Sequence, residues 1–274
     1  INLIVKSLIC KSMMKIFLTP PMKHLNLSEL GNNNLYIIGQ YYKKNEQYRE
    51  YVKEAIKQGR FTILDNGTGE EGEVLTNEEL FQLTLEIEPN EVIPLDVLYD
   101  STQTLINFNQ FLEWLKEARA KGKLLNTTIL ACPQGKNWEA WYDCYKFFMW
   151  NKYVSCIGMS KKAIPHIMNT DNIAFARNKV VSKLKAYNSL SKPLHFLGQG
   201  NPKEFIPYKN EKIFRSTDSC YPILAAINGQ DIEKVEKFER IPTPSDYFEK
   251  EIKEEQMELI KSNVQYLKKC CHNV

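Results

Sequence analysis

Eight short β-rich runs recur along the chain, at residues 15–18, 35–39, 61–64, 91–95, 127–131, 153–157, 194–197 and 212–216. An acid, an amide or a glycine stands where most of them stop. Stretches with helical spacing of apolar residues lie between most of the runs, as at 45–58, 76–87, 102–120 and 138–151. Strands that alternate with helices are parallel, because each helical crossover returns the chain to the same end of the sheet, and eight of them can close into a barrel. The expected fold is therefore α/β, a (β/α)8 TIM barrel with a C-terminal helix. Such a barrel collects its chemistry at the carboxyl ends of its strands. Asp65, Asp96, Gln134 and Asp218 all fall at such ends.

Length fits one domain of this kind. The chain has 274 residues, 43% of them hydrophobic and 11% aromatic, and a (β/α)8 domain typically takes about 250. Three segments are expected: residues 1–13 as an N-terminal extension that need not be native, 14–240 as the barrel, and 241–274 as a C-terminal helical segment. Residues 1–13 lack the cleavage pattern of a secretory signal, and no apolar run reaches the roughly 18 residues of a membrane span. The seven cysteines, Cys10, Cys132, Cys144, Cys156, Cys220, Cys270 and Cys271, are scattered and odd in number. They read as reduced thiols of a soluble, cytoplasmic protein. Net charge is only +3, so the total does not announce a nucleic-acid binder, although a local basic face stays open.

After the eighth run, the sequence Ile241-Pro-Thr-Pro-Ser breaks the pattern. Residues 246–269 then read as a charged helix with Ile252, Gln256, Leu259, Ile260, Asn263, Val264 and Leu267 along one side. Packing on the outside of the barrel is the expected role, and a partner surface is the alternative.

Two loops are rich in glycine. Asp65-Asn-Gly-Thr-Gly-Glu-Glu-Gly follows the third run, and its acids and missing lysine make it a poor phosphate loop. Phe196-Leu-Gly-Gln-Gly-Asn-Pro follows the seventh, where simple strand-to-helix geometry and ligand contact are both open.

Two aspartates at the ends of non-adjacent barrel strands can face each other across the mouth, one attacking an electron-poor carbon while the other carries a proton. Asp65 and Asp218 are the candidate pair. A strand-end aspartate can also be a helix N-cap. Asp96 is a weak cap candidate, because Asp100-Ser101 is better placed to start the next helix. Asp96 and Gln134, on neighbouring strands, suit the edge of a guanine-like base: a carboxylate accepts from its N1–H and amine, and an amide meets its O6.

The series Leu64-Asp65-Asn-Gly, Pro94-Leu-Asp96, Pro133-Gln134-Gly135, Ile157-Gly158, His195-Phe-Leu-Gly198 and Arg215-Ser-Thr-Asp218-Ser resembles the tRNA-guanine transglycosylase superfamily. It is most similar to the phage-type enzymes that place 7-deazaguanine bases in DNA. The resemblance runs from about residue 15 to residue 230, with one motif per strand. It implies base exchange at a nucleoside. Asp218 matches the nucleophile that attacks C1′ and Asp65 the general acid/base. Asp96 matches the reader of the base's N1 and amino edge, Gln134 the contact to O6, and Gly158 the backbone N–H beside it. Arg177 resembles an arginine of the phage-type proteins and is the first choice for a phosphate contact. His195 and Gly198 join the candidate substrate-binding set, with a core histidine as the other reading of His195. A phage-encoded enzyme would work in the host cytoplasm.

The departures from the pattern matter as much. The tRNA enzymes carry a structural zinc held by spaced cysteines and a histidine. Here only the consecutive Cys270, Cys271 and His272 remain, so zinc is not expected and the 7-deazaguanine base is the only co-substrate implied. The arginine-containing segment after the nucleophile is replaced by Tyr221-Pro-Ile-Leu-Ala-Ala-Ile-Asn, which makes DNA the expected partner and tRNA the alternative. Lys161, Lys162, Arg177, Lys179, Lys183, Lys185, Lys203, Lys209, Lys212 and Arg215 are candidates for phosphate contact or for simple solvated faces. From another class, two carboxylates on a barrel suit a glycosidic-bond hydrolase. Its groove would be expected to carry tryptophans, whereas Trp114, Trp138, Trp141 and Trp150 fall in the expected helices. A catalytically dead barrel serving as a nucleic-acid adaptor is the third reading, and the presence of both Asp65 and Asp218 argues against it.

Overall fold

A computed structural model describes residues 14–68, 74–209, 211–235 and 241–272. The expected N-terminal extension, residues 1–13, and the acidic part of the first glycine-rich loop lie outside them. Eight parallel strands form one sheet: β1 (Lys15–Leu18), β2 (Asn34–Ile38), β3 (Phe61–Asp65), β4 (Glu91–Val92), β5 (Thr128–Ala131), β6 (Val154–Met159), β7 (Leu194–Phe196) and β8 (Phe214–Ser219). The ladder runs β2-β3-β4-β5-β6-β7-β8-β1, and β1 lies against β2, so the sheet is a nearly closed barrel. This is the (β/α)8 architecture expected from the alternating runs.

Helices wrap the outside. They are α1 (Gly39–Lys44), α2 (Glu46–Lys57), α3 (Asn77–Ile87), α4 (Ser101–Ala120), α5 (Trp138–Trp150), α6 (Ala163–Ile167), α7 (Ile173–Ala186), α8 (Tyr221–Ile227) and α9 (Glu254–Cys271). Two crossovers are completed by 3-10 segments instead, Met22–Leu30 after β1 and Pro202–Tyr208 after β7. The second carries Pro207 inside it, which denies an α-helix the backbone donor it would need there. Most of the longer helices begin on a polar side chain that accepts a bond from the first turn: Asn45 for α2, Thr76 for α3, Asp100 for α4, Asn137 for α5 and Asn172 for α7. The strand-end acids Asp65, Asp96 and Asp218 cap none of them.

Alternation along the strands sorts two cores. Ile16, Leu18, Leu35, Ile37, Leu64, Val92, Ile129 and Ile157 face the helices. Phe17, Tyr36, Ile38, Ile63, Ile93, Leu130, Cys132 and Cys156 fill the barrel. One feature of β8 breaks the alternation. Leu194 pairs with Phe214 but His195 pairs with Ser216, so Arg215 is an extra residue in the strand. Phe214 packs in the outer core, and without that bulge Asp218, four residues on, would share its face. The bulge turns Ser216 and Asp218 inward. A matching shift at β5 and β6 leaves Ser155 unpaired in the ladder.

Strand ends differ from the sequence expectation where the bonding partner decides. The ladder of β4 stops at Val92; the Ile93 N–H still donates to Leu64 O at 2.9 Å, but Pro94 has no N–H to continue. β6 and β8 instead run two and three residues beyond their expected ends, carrying Gly158 and Asp218 inside the strands. The C-terminal helix starts at Glu254, after a short 3-10 turn, Tyr247–Glu249. It packs on α8 and the 3-10 segment after β7 through Ile260, Asn263, Val264, Leu267, Cys270 and Cys271. Among the described residues no helix is long and apolar enough to cross a membrane.

Candidate active site

Asp218 projects from β8 into the mouth of the barrel, its side chain 13% exposed. Its Oδ1 accepts two hydrogen bonds, from His195 Nε2 at 3.0 Å and from the Gly198 N–H at 2.9 Å. Burial pushes its carboxyl up, but the His195 bond, the Gly198 N–H and the nearby Lys161 charge outweigh it and hold the carboxyl below its ordinary range. Asp218 is thus an ionised carboxylate at neutral pH. Both donors meet Oδ1, which leaves Oδ2 as the oxygen turned to other business.

A chain of polar groups behind Asp218 fixes the imidazole. His195 is fully buried, and burial lowers its pKa against the pull of Asp218, so it stays neutral near pH 7. An ionised Asp218 can only accept, so Nε2 carries the proton, and Nδ1 accepts from the Ser216 hydroxyl at 2.8 Å. The Ser216 oxygen in turn accepts from Arg215 Nε at 3.1 Å, and the Arg215 guanidinium binds both oxygens of Glu91 at 2.5 and 2.6 Å. Ser155 adds a 2.9 Å bond to the same carboxylate. Both bulge residues therefore meet Glu91 inside the barrel. Tyr36 lies flat against His195, with ring centroids 6.2 Å apart and planes at 11°. His195 thus contacts Asp218 directly and is also a core residue.

Gly198 is at φ +66°, a conformation that favours glycine, and a Cβ there would run into the Lys161 side chain. The turn after β7 thus brings a backbone N–H onto Asp218.

Asp65 ends β3 facing the same cavity, and its Oδ2 accepts from the Gly67 N–H at 3.2 Å. Gly67, at φ +79°, packs directly under the Gln40 side chain and has no room for a Cβ. Next to it, Asn66 donates to Pro94 O at 2.9 Å and to Asp96 Oδ1 at 2.7 Å. Gln134 Nε2 donates to Asp96 Oδ2, and its Oε1 accepts from the Tyr99 N–H at 3.1 Å. This orientation is the one that avoids placing two acceptors together. Thr68 Oγ1 donates to Asp96 O at 3.0 Å, pinning the loop after β4. Burial raises the Asp96 pKa, and the two amide donors only partly oppose it.

Asp65, Asp96 and Asp218 line one cavity of about 70 Å³ with Tyr36, Asn66 and Gly198. It adjoins a larger cleft of about 390 Å³ and shares Tyr36, Lys161, Lys162, Gly198 and Asp218 with it. None of the four tryptophans lines either space.

The other candidates lie further back. Gln134 is fully buried and lines neither cavity; it stands behind Asp96 and holds it. Gly158 sits beneath the cavity, where a Cβ would meet Leu197 and Leu130 side chains at 2.8 and 3.0 Å. Arg215 is bound to Glu91 in the barrel interior rather than at the mouth.

Arg177 requires a correction. The phosphate contact expected of it is ruled out by burial: the residue is 0% exposed. Its guanidinium donates to Met159 O at 2.7 Å and to Leu197 O, and lies 3.4 Å from both carboxylate oxygens of Glu204. It ties the ends of β6 and β7 to the Pro202–Tyr208 segment. The signal was present in α7, where Arg177, Val181 and Leu184 share a buried face at i, i+4 and i+7. Arg177→Ala should lower stability by about 3–5 kcal/mol, because it leaves the buried Glu204 without its partner. Denaturant unfolding checks this; a loss under about 1 kcal/mol would mean that water or another group takes over the pairing.

Asn66, Ser216 and Glu91 were not singled out from the sequence. Asn66 alone carried a local signal, in the Asp-Asn-Gly turn directly after a strand. The described cysteines are all free, and among the described residues no three His, Cys, Asp or Glu side chains are grouped to hold a metal ion. No protein-family model matches this chain, and a search of curated proteins finds no match.

Proposed function

We propose that this protein is a base-exchange transglycosylase that replaces guanine in DNA with a 7-deazaguanine base through a covalent glycosyl-aspartate intermediate. The observation that carries the reading is the meeting of three strand-end carboxylates in one cavity, each in a different chemical setting. Asp218 is held ionised with Oδ2 unengaged by any donor among the described residues. Attack of Oδ2 on C1′ forms the ester-like C1′–O bond as the C1′–N9 bond breaks, and the electron pair leaves with guanine. Asp65, across the cavity, supplies the proton that the departing ring nitrogen takes up. It recovers one from the incoming base, whose nitrogen then displaces Asp218 from C1′. Asp96 accepts from the N1–H and amine of whichever base occupies the cavity, with Asn66 and Gln134 keeping its carboxylate in place.

A cavity enclosed in a barrel mouth cannot reach a base within a stack. The target nucleotide must therefore swing out of its helix, and Lys161 and Lys162, which line both spaces, would contact its phosphates. DNA as the polymer follows the resemblance to phage-type enzymes. Mass spectrometry of nucleosides from cells expressing the protein tests this reading. A 7-deazaguanine deoxynucleoside should accumulate in DNA. A modified nucleoside confined to tRNA would move the substrate to RNA, and free base released without replacement would mark a hydrolase.

A further inference from the structure

Two bulges, the extra Arg215 in β8 and the extra Ser155 in β6, both turn toward Glu91, which is buried. Bulges beside a site commonly re-aim a side chain, and these two gather a polar chain that ends on Asp218. Its bonds have a fixed direction. A guanidinium can only donate, so the Ser216 oxygen accepts from Arg215 Nε at 3.1 Å, and the Ser216 hydroxyl proton is left for His195 Nδ1 at 2.8 Å. Nδ1 therefore accepts, and Nε2 carries the proton that meets Asp218 Oδ1 at 3.0 Å. The same tautomer follows from the ionised carboxylate at one end and from the arginine at the other. Only the arginine end is independent of the charge on Asp218.

That independence matters in the second half of base exchange, the reading on which this inference rests. Once Oδ2 is esterified to C1′, Oδ1 is an uncharged carbonyl oxygen and pulls only weakly on the Nε2 proton. When the incoming nitrogen bonds to C1′, the C1′–Oδ2 bond breaks, its electron pair returns to the carboxylate, and the base's proton passes to Asp65. Donors already aimed at Oδ1 stabilise that returning charge without having to reorganise. We propose that Arg215 and Ser216, anchored on Glu91, are positioning residues that hold the His195 Nε2–H on Asp218 while it is esterified, and so speed its release. Gly198 supplies the other donor from the backbone, at 2.9 Å.

The test compares the full chain with its Ser216→Ala, Ser216→Thr and Arg215→Lys variants, in exchange of labelled guanine and in the share of enzyme trapped as adduct on a denaturing gel. Alanine removes the hydroxyl and threonine keeps it; lysine keeps a charge for Glu91 but lacks the Nε donor. In Ser216→Ala, turnover should fall about tenfold or more, as for other losses of a donor aimed at developing charge. KM for base and nucleic acid should stay within about twofold of wild type. The adduct share at steady state should rise, because formation still has an ionised Asp218 to hold the imidazole and release does not. Threonine should restore most of the turnover, and Arg215→Lys should show the alanine pattern in milder form. A residue that merely keeps the fold would lower adduct and turnover together. That result in a cooperatively melting Ser216→Ala, or wild-type turnover in both Ser216→Ala and Arg215→Lys, would overturn the proposal. Should Ser216→Ala not fold, Arg215→Lys alone decides: slower turnover with more adduct supports the proposal, and any other result overturns it. No exchange and no adduct with the wild type would instead count against the base-exchange reading itself.

Discussion

Asp218→Asn should abolish guanine exchange and every trappable enzyme–nucleic acid adduct while leaving the barrel folded. Asparagine keeps an oxygen that can accept from His195 Nε2 and Gly198 N–H, the two bonds that hold Oδ1 at 3.0 and 2.9 Å. It replaces Oδ2, the oxygen free to attack, with an amide nitrogen that is no nucleophile. Loss of a nucleophile in a covalent mechanism removes on the order of 10⁴-fold or more in rate. The measurement is incorporation of labelled guanine into nucleic acid, together with a denaturing-gel search for the adduct. An Asn variant exchanging near the wild-type rate would pass the nucleophile's role to another group, and Asp65 in the same cavity would be the first to examine. The Asp65→Asn variant separates the two, because loss of a proton carrier slows exchange yet leaves the first covalent step possible.

The fold was legible because barrel strands and helices repeat two different periods in turn, and runs such as those around Ile63 and Leu194 lie buried on both faces. What the pattern hid were the breaks in it. In β8 the alternation from Phe214 assigns Asp218 to the helix side, and only the pairing with β7 shows that Arg215 is an extra residue. A bulge is a property of two strands together, so no single run announces it. The acids of the site were legible for a simpler reason: Asp65, Asp96 and Asp218 each lie at or just beyond the carboxyl end of a strand, where a (β/α)8 barrel puts its chemistry.

Partners were the illegible part. Arg177 and Glu204 meet across 27 positions of sequence, Glu91 and Arg215 across 124. A charge in a sequence reads as solvated until its counter-charge is known, and here both arginines are paired inside the protein. Gln134 shows the same limit in a milder form. Its place after β5 put it near Asp96, but both of its amide ends are claimed, Nε2 by Asp96 and Oε1 by the Tyr99 N–H, so neither faces the cavity.

That claim changes how base selection should respond to mutation. Asp96→Ala removes the acceptor for the N1–H and amine of the base, at roughly 1–3 kcal/mol for each donor left unmet in a buried pocket. Free 7-deazaguanine base should therefore bind on the order of ten- to several-hundred-fold more weakly. Gln134→Ala keeps Asp96 and its bond from Asn66, and loses one neutral hydrogen bond to the carboxylate, for which roughly 0.5–1.5 kcal/mol is typical. It should be the milder change. The pH dependence carries a second signature. Burial raises the Asp96 pKa, and only the ionised carboxylate accepts from both donors. Affinity should thus fall on acidification through that raised value, above the pH at which an ordinary aspartate would protonate. Calorimetric titration of the wild type and both variants across pH reads both effects. Greater damage from Gln134→Ala, or an affinity indifferent to pH down to the ordinary aspartate range, would remove Asp96 as the residue that reads the base edge.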